Sequence, residues 1–377
     1  MMELEQTRTW AEIDLGALEH NYRALRACAP DSRFLGVVKA NAYGHGAVPV
    51  ARKLERLGAD YLAVACLAEA RELRLAGIAA PILILGATPP ELAPMVVELG
   101  LTQAVATAEL ARALSAAAGR QGCRARVHLK LDTGMSRLGL LAHEAEGAAR
   151  EAAAICALPG LEWEGVFTHF ANADGDEDYT MLQFTRFLDT LDTLERSHGL
   201  TFPIRHCAAS AAVLNYPCTH MDMIRPGIAL YGCYPDPACE GLDGPGLTPV
   251  MSLKSRVAAV RDLPGGTPVS YGCTASLGPE GGRVAVVPIG YADGLHRALS
   301  NRGSIWLGGQ PRPIMGRVCM DMCMVGLDRE AEVAPGDEAE VFGRHLPVEQ
   351  PAALAGTIQY ELLCAVSPRV PRIYLHA

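Results

Sequence analysis

Five stretches of the chain end apolar runs on side chains that could do chemistry. "VVKANAYGHG", residues 37–46, closes such a run on Lys39 and continues at once into Asn41, Tyr43, His45 and two glycines. "HLKLDTGMSRLG" carries Lys130 and Asp132, with Arg137 shortly after, and in "VFTHFANAD" the apolar run ends on His169. "HCAASAA" supplies Ser210, and "MIRPGIALYG" supplies Arg225, Gly227 and Ile228. A lysine amine in such a place can act as a Schiff-base nucleophile. Cations gathered around small residues suit an anionic cofactor or substrate. Taken singly, each has a plainer structural reading: a strand-end lysine solvates, a histidine packs, a glycine turns the chain and an arginine pairs with an acid. The chemical reading therefore depends on a fold that brings them to one place.

That fold is legible in the hydrophobic pattern. Strands are expected near Phe34–Lys39, Tyr61–Ala65, Ile82–Leu85, Gln103–Ala106, Arg126–Leu131, Gly165–Thr168, Ile204–Cys207 and Gly227–Tyr231. The segments between several of them are helix-like. Asp14 reads as an N-cap ahead of Leu15, Leu18, Tyr22 and Leu25. "MLQFTRFLDTLDTL" places Leu182, Phe187, Leu191 and Leu194 on one face. Eight short apolar strands alternating with helices predict an α/β architecture, a (β/α)8 TIM-type barrel with an open doubly wound sheet as the alternative. In a parallel barrel the site is built at the C-terminal ends of the strands, where Lys39, Lys130, His169 and Ser210 fall, while Arg225 precedes Gly227 at the eighth.

After about residue 240 the pattern changes. "PACEGLDGPGLTP" reads as a linker, and alternating strands with turn signals follow, with helical periodicity confined to Pro351–Ala355. The expected division is a barrel over 11–240 and a mainly β domain over 241–377, joined by residues 1–10 with strand-like Thr7–Trp10.

Composition narrows the function classes. The chain has 377 residues, enough for two domains and a large core. A net charge of −9 and the lack of any basic block argue against nucleic acid as a partner. No apolar run reaches the length of a membrane span, and "MMELEQTRTW" lacks the basic start and apolar stretch of a signal peptide, so a cytoplasmic protein is expected. Twelve cysteines are scattered with no C-x-x-C pair, which predicts that most are buried thiols rather than a zinc site or a disulfide framework. Cys319 and Cys323 fall on one side of a strand-like stretch and read as packing residues. "DGDEDY" spaces Asp174, Asp176 and Asp178 like a calcium loop, but Tyr179 stands where the glycine belongs and Thr185 where the closing glutamate belongs. No metal is expected.

"AEIDLGALEHN", "VVKANAYGHG", "KLDTGMSRLG", "FTHFANAD", "RPGIALYG", "VSYGCT", "GYADG" and "GRVCMDM", in that order, resemble alanine racemase, from Trp10 to Arg372. The resemblance implies pyridoxal 5'-phosphate carried on Lys39 and a homodimer whose sites are shared between subunits. Lys39 would then be one base and Tyr271, from the partner, the other. It implies phosphate contacts from Tyr43, Ser210, Gly227 and Ile228, His169 packed near the pyridine ring, and Arg225 facing the ring nitrogen. Arginine only donates hydrogen bonds, so that nitrogen would stay unprotonated and the electron sink weak, which disfavours transamination. Arg137 and Met320 would contact the substrate, Tyr291 would gate its channel, and Lys130 matches a lysine that is carbamylated in some members.

Two positions depart from the family pattern. Ala209 stands where many members have asparagine, and Pro368 where many have a tyrosine that reaches the cofactor phosphate. The space left at Pro368 keeps serine open as an alternative substrate. A pyridoxal phosphate carrier, which resembles the barrel alone, and a barrel-type amino-acid decarboxylase, with cysteine at the cross-subunit position, fit less well. The long C-terminal region and Tyr271 argue against the carrier, and Tyr271 with "KLDTGMSRLG" against the decarboxylase.

Overall fold

The computed structural model describes residues 8–239 and 244–377. Thr7 and the linker residues 240–243, with the expected boundary after 240, lie outside them. The described residues fall into two compact units, one within residues 18–42 and 47–248, the other within residues 8–17, 43–46 and 249–377.

The first unit is a parallel barrel. Its strands are β1 (Arg33–Val37), β2 (Tyr61–Val64), β3 (Ile82–Ile84), β4 (Thr102–Val105), β5 (Ala125–Asp132), β6 (Leu161–Phe167), β7 (Ile204–His206) and β8 (Met223–Ile224). Each pairs in parallel with the next through β7, and β8 pairs with β1 at Met223↔Arg33 and Ile224↔Phe34. A parallel bridge, Ala209↔Arg225, joins the β7 and β8 ends and completes the ring. Every residue of β2, β3 and β4 is buried, as strands covered on both faces must be.

Helices cover the outside. Glu177–His198 starts where Asp176 Oδ1 accepts the Tyr179 amide at 2.9 Å and ends at left-handed Gly199. The acids of "DGDEDY" are thus a helix start. This helix buries Thr180, Gln183, Phe184, Phe187, Thr190 and Leu194, whereas Leu182 is exposed. Leu182 lies five residues before Phe187, well off the 3.6-residue stripe, so its expected place on the buried face is corrected.

The expected eighth strand is also corrected. Gly227–Tyr231 is not extended; Ile228–Tyr231 forms a 3-10 turn and the strand lies earlier, at Met223–Ile224. An apolar run of four is compatible with either conformation. Nor does β1 reach Lys39. Val37 is its last residue, and Lys39 opens the helical turn Lys39–Tyr43 in which Ala40, Asn41, Ala42 and Tyr43 all take φ near +52°.

The second unit is mainly β. Its six-stranded sheet runs Gln310–Pro313, Ser304–Leu307, Glu338–Phe342, Met251–Arg256, Thr9–Asp14, Arg372–Leu375. Ala259–Leu263, Gly282–Val287 and Cys323–Leu327 form a second sheet. Met251–Arg256 alternates buried and half-buried residues, the signature of a sheet with one covered face. Helix Glu349–Ala355 matches expectation; Gln359–Ala365 is an additional helix. Cys323 begins a strand but Cys319 lies in the irregular chain before it, so the two do not share a strand face. Residues 43–46 belong to this unit. Gly44 takes φ +82° and a β carbon there would lie 2.2 Å from the Leu363 carbonyl oxygen; one on Gly46, at φ +103°, would lie 1.9 Å from the Tyr374 hydroxyl. Close backbone approach therefore requires both glycines of "YGHG".

Candidate active site

The barrel's C-terminal rim carries the cations that the sequence marked. Lys39 follows β1 in the left-handed turn. Four consecutive non-glycine residues in that conformation cost roughly 1–2 kcal/mol each. The turn is pinned by side chains: Glu69 Oε1 accepts from Ala40 N at 2.8 Å while Glu69 Oε2 accepts from Ala65 N at 2.7 Å, and Asn41 Oδ1 accepts from Ala47 N at 2.8 Å.

Lys130, two residues before the end of β5, is almost fully buried, its Nζ donating to the Leu131 carbonyl at 2.5 Å and lying 5.3 Å from the Phe167 ring centre. Burial first, then the charges of Arg225 and Arg137, pull its pKa down to about 7. Next to it, burial acts to raise the Asp132 carboxyl, but amides of Ser136, Gly134 and Arg137 and the charge of Lys130 prevail and hold it below the ordinary range. Asp132 thereby shapes the loop that presents exposed Arg137. A cavity of about 320 Å³ opens beside Lys130, walled by Leu85, Gly86, Thr88, Ala106 and Leu138.

Arg225, beyond β8, is buried with its Nη2 donating to the carbonyls of Thr168 (2.9 Å) and Cys207 (3.2 Å) and to His169 Nδ1 (3.3 Å). Its pKa falls to about 10 through burial. His169 sits well below its ordinary value, first by burial and then by Arg225, Arg137, Lys130 and Lys39. Four cations therefore act on one imidazole. Ser210 Oγ accepts the amides of Gly227 (2.9 Å) and Ala229 (3.2 Å), which fixes the turn around Ile228 and leaves the hydroxyl proton to donate. Ala209 cannot add a side-chain donor here.

In the second unit Tyr43 is buried, its ring 6.2 Å from that of Tyr360, and burial raises its phenol. Tyr271, Met320 and Tyr291 come together on a different part of that unit. Tyr291 N donates to Cys319 O and Ala292 N to Met320 O, both at 3.0 Å, while Ser270 Oγ donates to Arg317 O at 2.6 Å. Ser270 itself has φ +66°, ψ −179°, a region otherwise almost confined to glycine, directly before the tyrosine. Tyr271 is 71% and Met320 53% exposed. Buried Asp293 holds Gly290 N, Arg8 and Arg369, bracing the Tyr291 loop. Pro368 is exposed beside Ser367, whose amide donates to Asp293 O.

Glu69, Asp293 and Ser270 were not visible as site-supporting residues in the sequence. They act through backbone contacts that no local motif marks.

Residues 13–235 match the model of the alanine racemase N-terminal domain, and residues 250–374 that of the C-terminal domain. The chain belongs to the alanine racemase family. The alanine racemase of Desulforamulus reducens is 48% identical over 97% of this chain and 98% of its own length, and that of Desulfovibrio desulfuricans 46% identical over the same shares. Among solved structures, alanine racemase from the D-cycloserine producer Streptomyces lavendulae superposes with a TM-score of 0.93 at 39% identity, covering 98% of each chain. The alanine racemase of Clostridium difficile 630 also gives 0.93, at 38% identity, over 98% of this chain and 96% of its own. The barrel and the mainly β unit are thus the alanine racemase fold. Among the described residues no cluster of metal-ligating side chains occurs, and no helix is long and apolar enough to cross a membrane.

Proposed function

We propose that this protein is a pyridoxal 5'-phosphate-dependent racemase that interconverts L-alanine and D-alanine, in the cytoplasm, for peptidoglycan precursors. The observation that carries the reading is the gathering of cations at the barrel rim: Arg225 Nη2 lies 3.3 Å from His169 Nδ1, and Arg225 and Lys130 each lie 5.3 Å from the centre of the Phe167 ring. Such a rim calls for an anion, and the residues fit this one. Ser210 Oγ–H and the turn at Gly227 and Ile228 would hold the phosphate, and the family resemblance adds the Tyr43 hydroxyl. Arg225 can only donate, and so suits an unprotonated ring nitrogen. Lys39 would carry the cofactor covalently. The cofactor supplies an electron sink that acidifies the substrate Cα–H.

The chain's own residues then divide the proton work. Lys39 Nζ takes or returns the proton on one face of Cα. The opposite face needs a second base, and the Tyr271 hydroxyl of a second copy fills that role. Exposure of Tyr271 and Met320 supports a homodimer in which each supplies its partner. Arg137 binds the substrate carboxylate, Tyr291 narrows the entrance, and a carbamate on Lys130 would turn a cation into an anion able to hold Arg137.

The test is incubation with pyridoxal phosphate and L-alanine in D2O. Deuterium at Cα and accumulating D-alanine without CO2 are expected; CO2 release or absence of D-alanine refutes the reading. Pro368, which offers no phenol, supports activity on serine as well. The ratio of kcat/KM for the two amino acids decides that point.

A further inference from the structure

Inside the barrel runs a line of polar side chains that the proposed chemistry leaves unused. Arg225 Nη1 donates to His206 Nδ1 at 2.9 Å, and His206 Nε2 lies 2.8 Å from His128 Nδ1. His128 Nε2 is buried without a hydrogen-bond partner, and the carboxylate facing it is Glu164, with Oε2 at 3.7 Å. Glu164 Oε2 accepts the Tyr61 hydroxyl at 2.5 Å. Both histidines are wholly buried, and His206 stacks on Phe167 at 4.8 Å with the rings 5° from parallel.

The backbone is built around this line. Pairing of β5 with β6 shifts register so that Val127 faces Trp163 and His128 faces Gly165, which leaves Glu164 as the extra residue of a β-bulge. A β carbon on Gly165 would lie 2.6 Å from His128 Nδ1, so only glycine leaves room for the imidazole. Among the described residues no carboxylate forms an ion pair with Arg225, although a buried cation needs a counter-charge.

The hydrogen-bond sense is fixed from one end. Arginine has no acceptor, so His206 Nδ1 must accept and His206 carries its proton on Nε2. That proton goes to His128 Nδ1, and His128 in turn carries its own on Nε2, pointed at Glu164. Burial, chiefly, keeps both rings neutral, since their pKa values lie below the ordinary one.

We propose that Glu164 is the counter-charge of Arg225, acting through His206 and His128 as one polarised line. It is a positioning residue, which holds the guanidinium in place and in its charged form. Its effect on catalysis rests on the reading of Arg225 as the partner of the cofactor ring; the line itself does not.

The test uses protein labelled with 15N-histidine, with and without pyridoxal phosphate. Long-range 1H–15N spectra should show His206 and His128 as neutral Nε2–H tautomers from about pH 6 to about pH 8. Glu164→Gln should move the His206 resonances as well as those of His128. In the loaded enzyme it should shift the cofactor absorption maximum and lower kcat about threefold to tenfold with little change in KM, and Glu164→Asp should restore part of the loss. Should Glu164→Gln fail to fold, Tyr61→Phe removes only the phenol and should displace both histidines' signals. Nδ1–H on His206, an imidazolium on either ring, or a variant that alters only His128 or only Tm overturns the proposal. If the chain binds no cofactor, the histidine spectra still decide the line, and only the cofactor reading falls.

Discussion

Replacing Ser210 by alanine separates a structural role from a binding role. Ser210 is buried, and its Oγ is the acceptor for Gly227 N and Ala229 N. Alanine would leave two amides without that acceptor, at about 1–3 kcal/mol each, so stability should fall by roughly 2–6 kcal/mol, less where water reaches the turn. The hydroxyl proton is lost as well. If it donates to the cofactor phosphate, a bond to a charged group worth about 1.5–3 kcal/mol disappears, and the cofactor Kd should rise about 10- to 150-fold. The assays are urea unfolding of the cofactor-free protein and fluorescence titration with pyridoxal phosphate, with Ser210→Thr as the conservative control. Loss of stability with Kd unchanged within about twofold would refute the phosphate contact. Unchanged stability would refute the account of the turn.

Borohydride reduction of the loaded enzyme should fix the cofactor to Lys39, and peptide mapping that finds it on any other lysine removes that assignment. Lys39→Ala and Tyr271→Phe should each racemise poorly alone, while mixed dimers should regain one of two sites; no recovery after proven subunit exchange counts against a shared site. Lys130, with its pKa lowered to about 7, binds a proton more weakly in the folded than in the unfolded chain. Its contribution is whole above the unfolded value and is lost as pH falls toward about 7, with a slope of up to about 1.4 kcal/mol per pH unit. Lys130→Met should flatten stability over that range, and a carbamate carbon in 13C spectra after 13C-bicarbonate would replace this behaviour with a fixed anion. Pro368→Tyr should tighten cofactor binding and lower serine turnover more than alanine turnover; if neither changes, the position governs neither property.

The barrel was legible because its strands are apolar runs without alternation, as at Tyr61–Val64, and because its cations fall at strand ends. What escaped was conformation that composition does not encode. "KANAY" contains no glycine, yet Ala40 to Tyr43 are left-handed, held by Glu69 from 29 residues on, which accepts from Ala40 N, and by the Asn41 contact to Ala47 N. "IALY" is apolar enough for a strand, yet it turns, because Ser210 ties Gly227 and Ala229 together. Tyr271 was found through the family resemblance and not through periodicity, since it lies in a short irregular turn. Glu164 falls just before the expected strand Gly165–Thr168, and only the register shift at His128 reveals its alignment with His128 and His206.

The pairing of Thr9–Asp14 bears on how the molecule is made. Its neighbours in the sheet are Met251–Arg256 and Arg372–Leu375, so Ala11 pairs with Leu253, some 240 residues later. At about 5–20 residues per second, a ribosome needs roughly 12–50 s to deliver that first partner. The barrel strands emerge in the interval and find neighbours in order of synthesis, whereas the early strand waits with both edges open. Contacts of such separation form late and slowly. Aggregation during expression should therefore track the time this strand spends unpaired, and slowed translation downstream of the barrel should worsen yield without altering the finished enzyme.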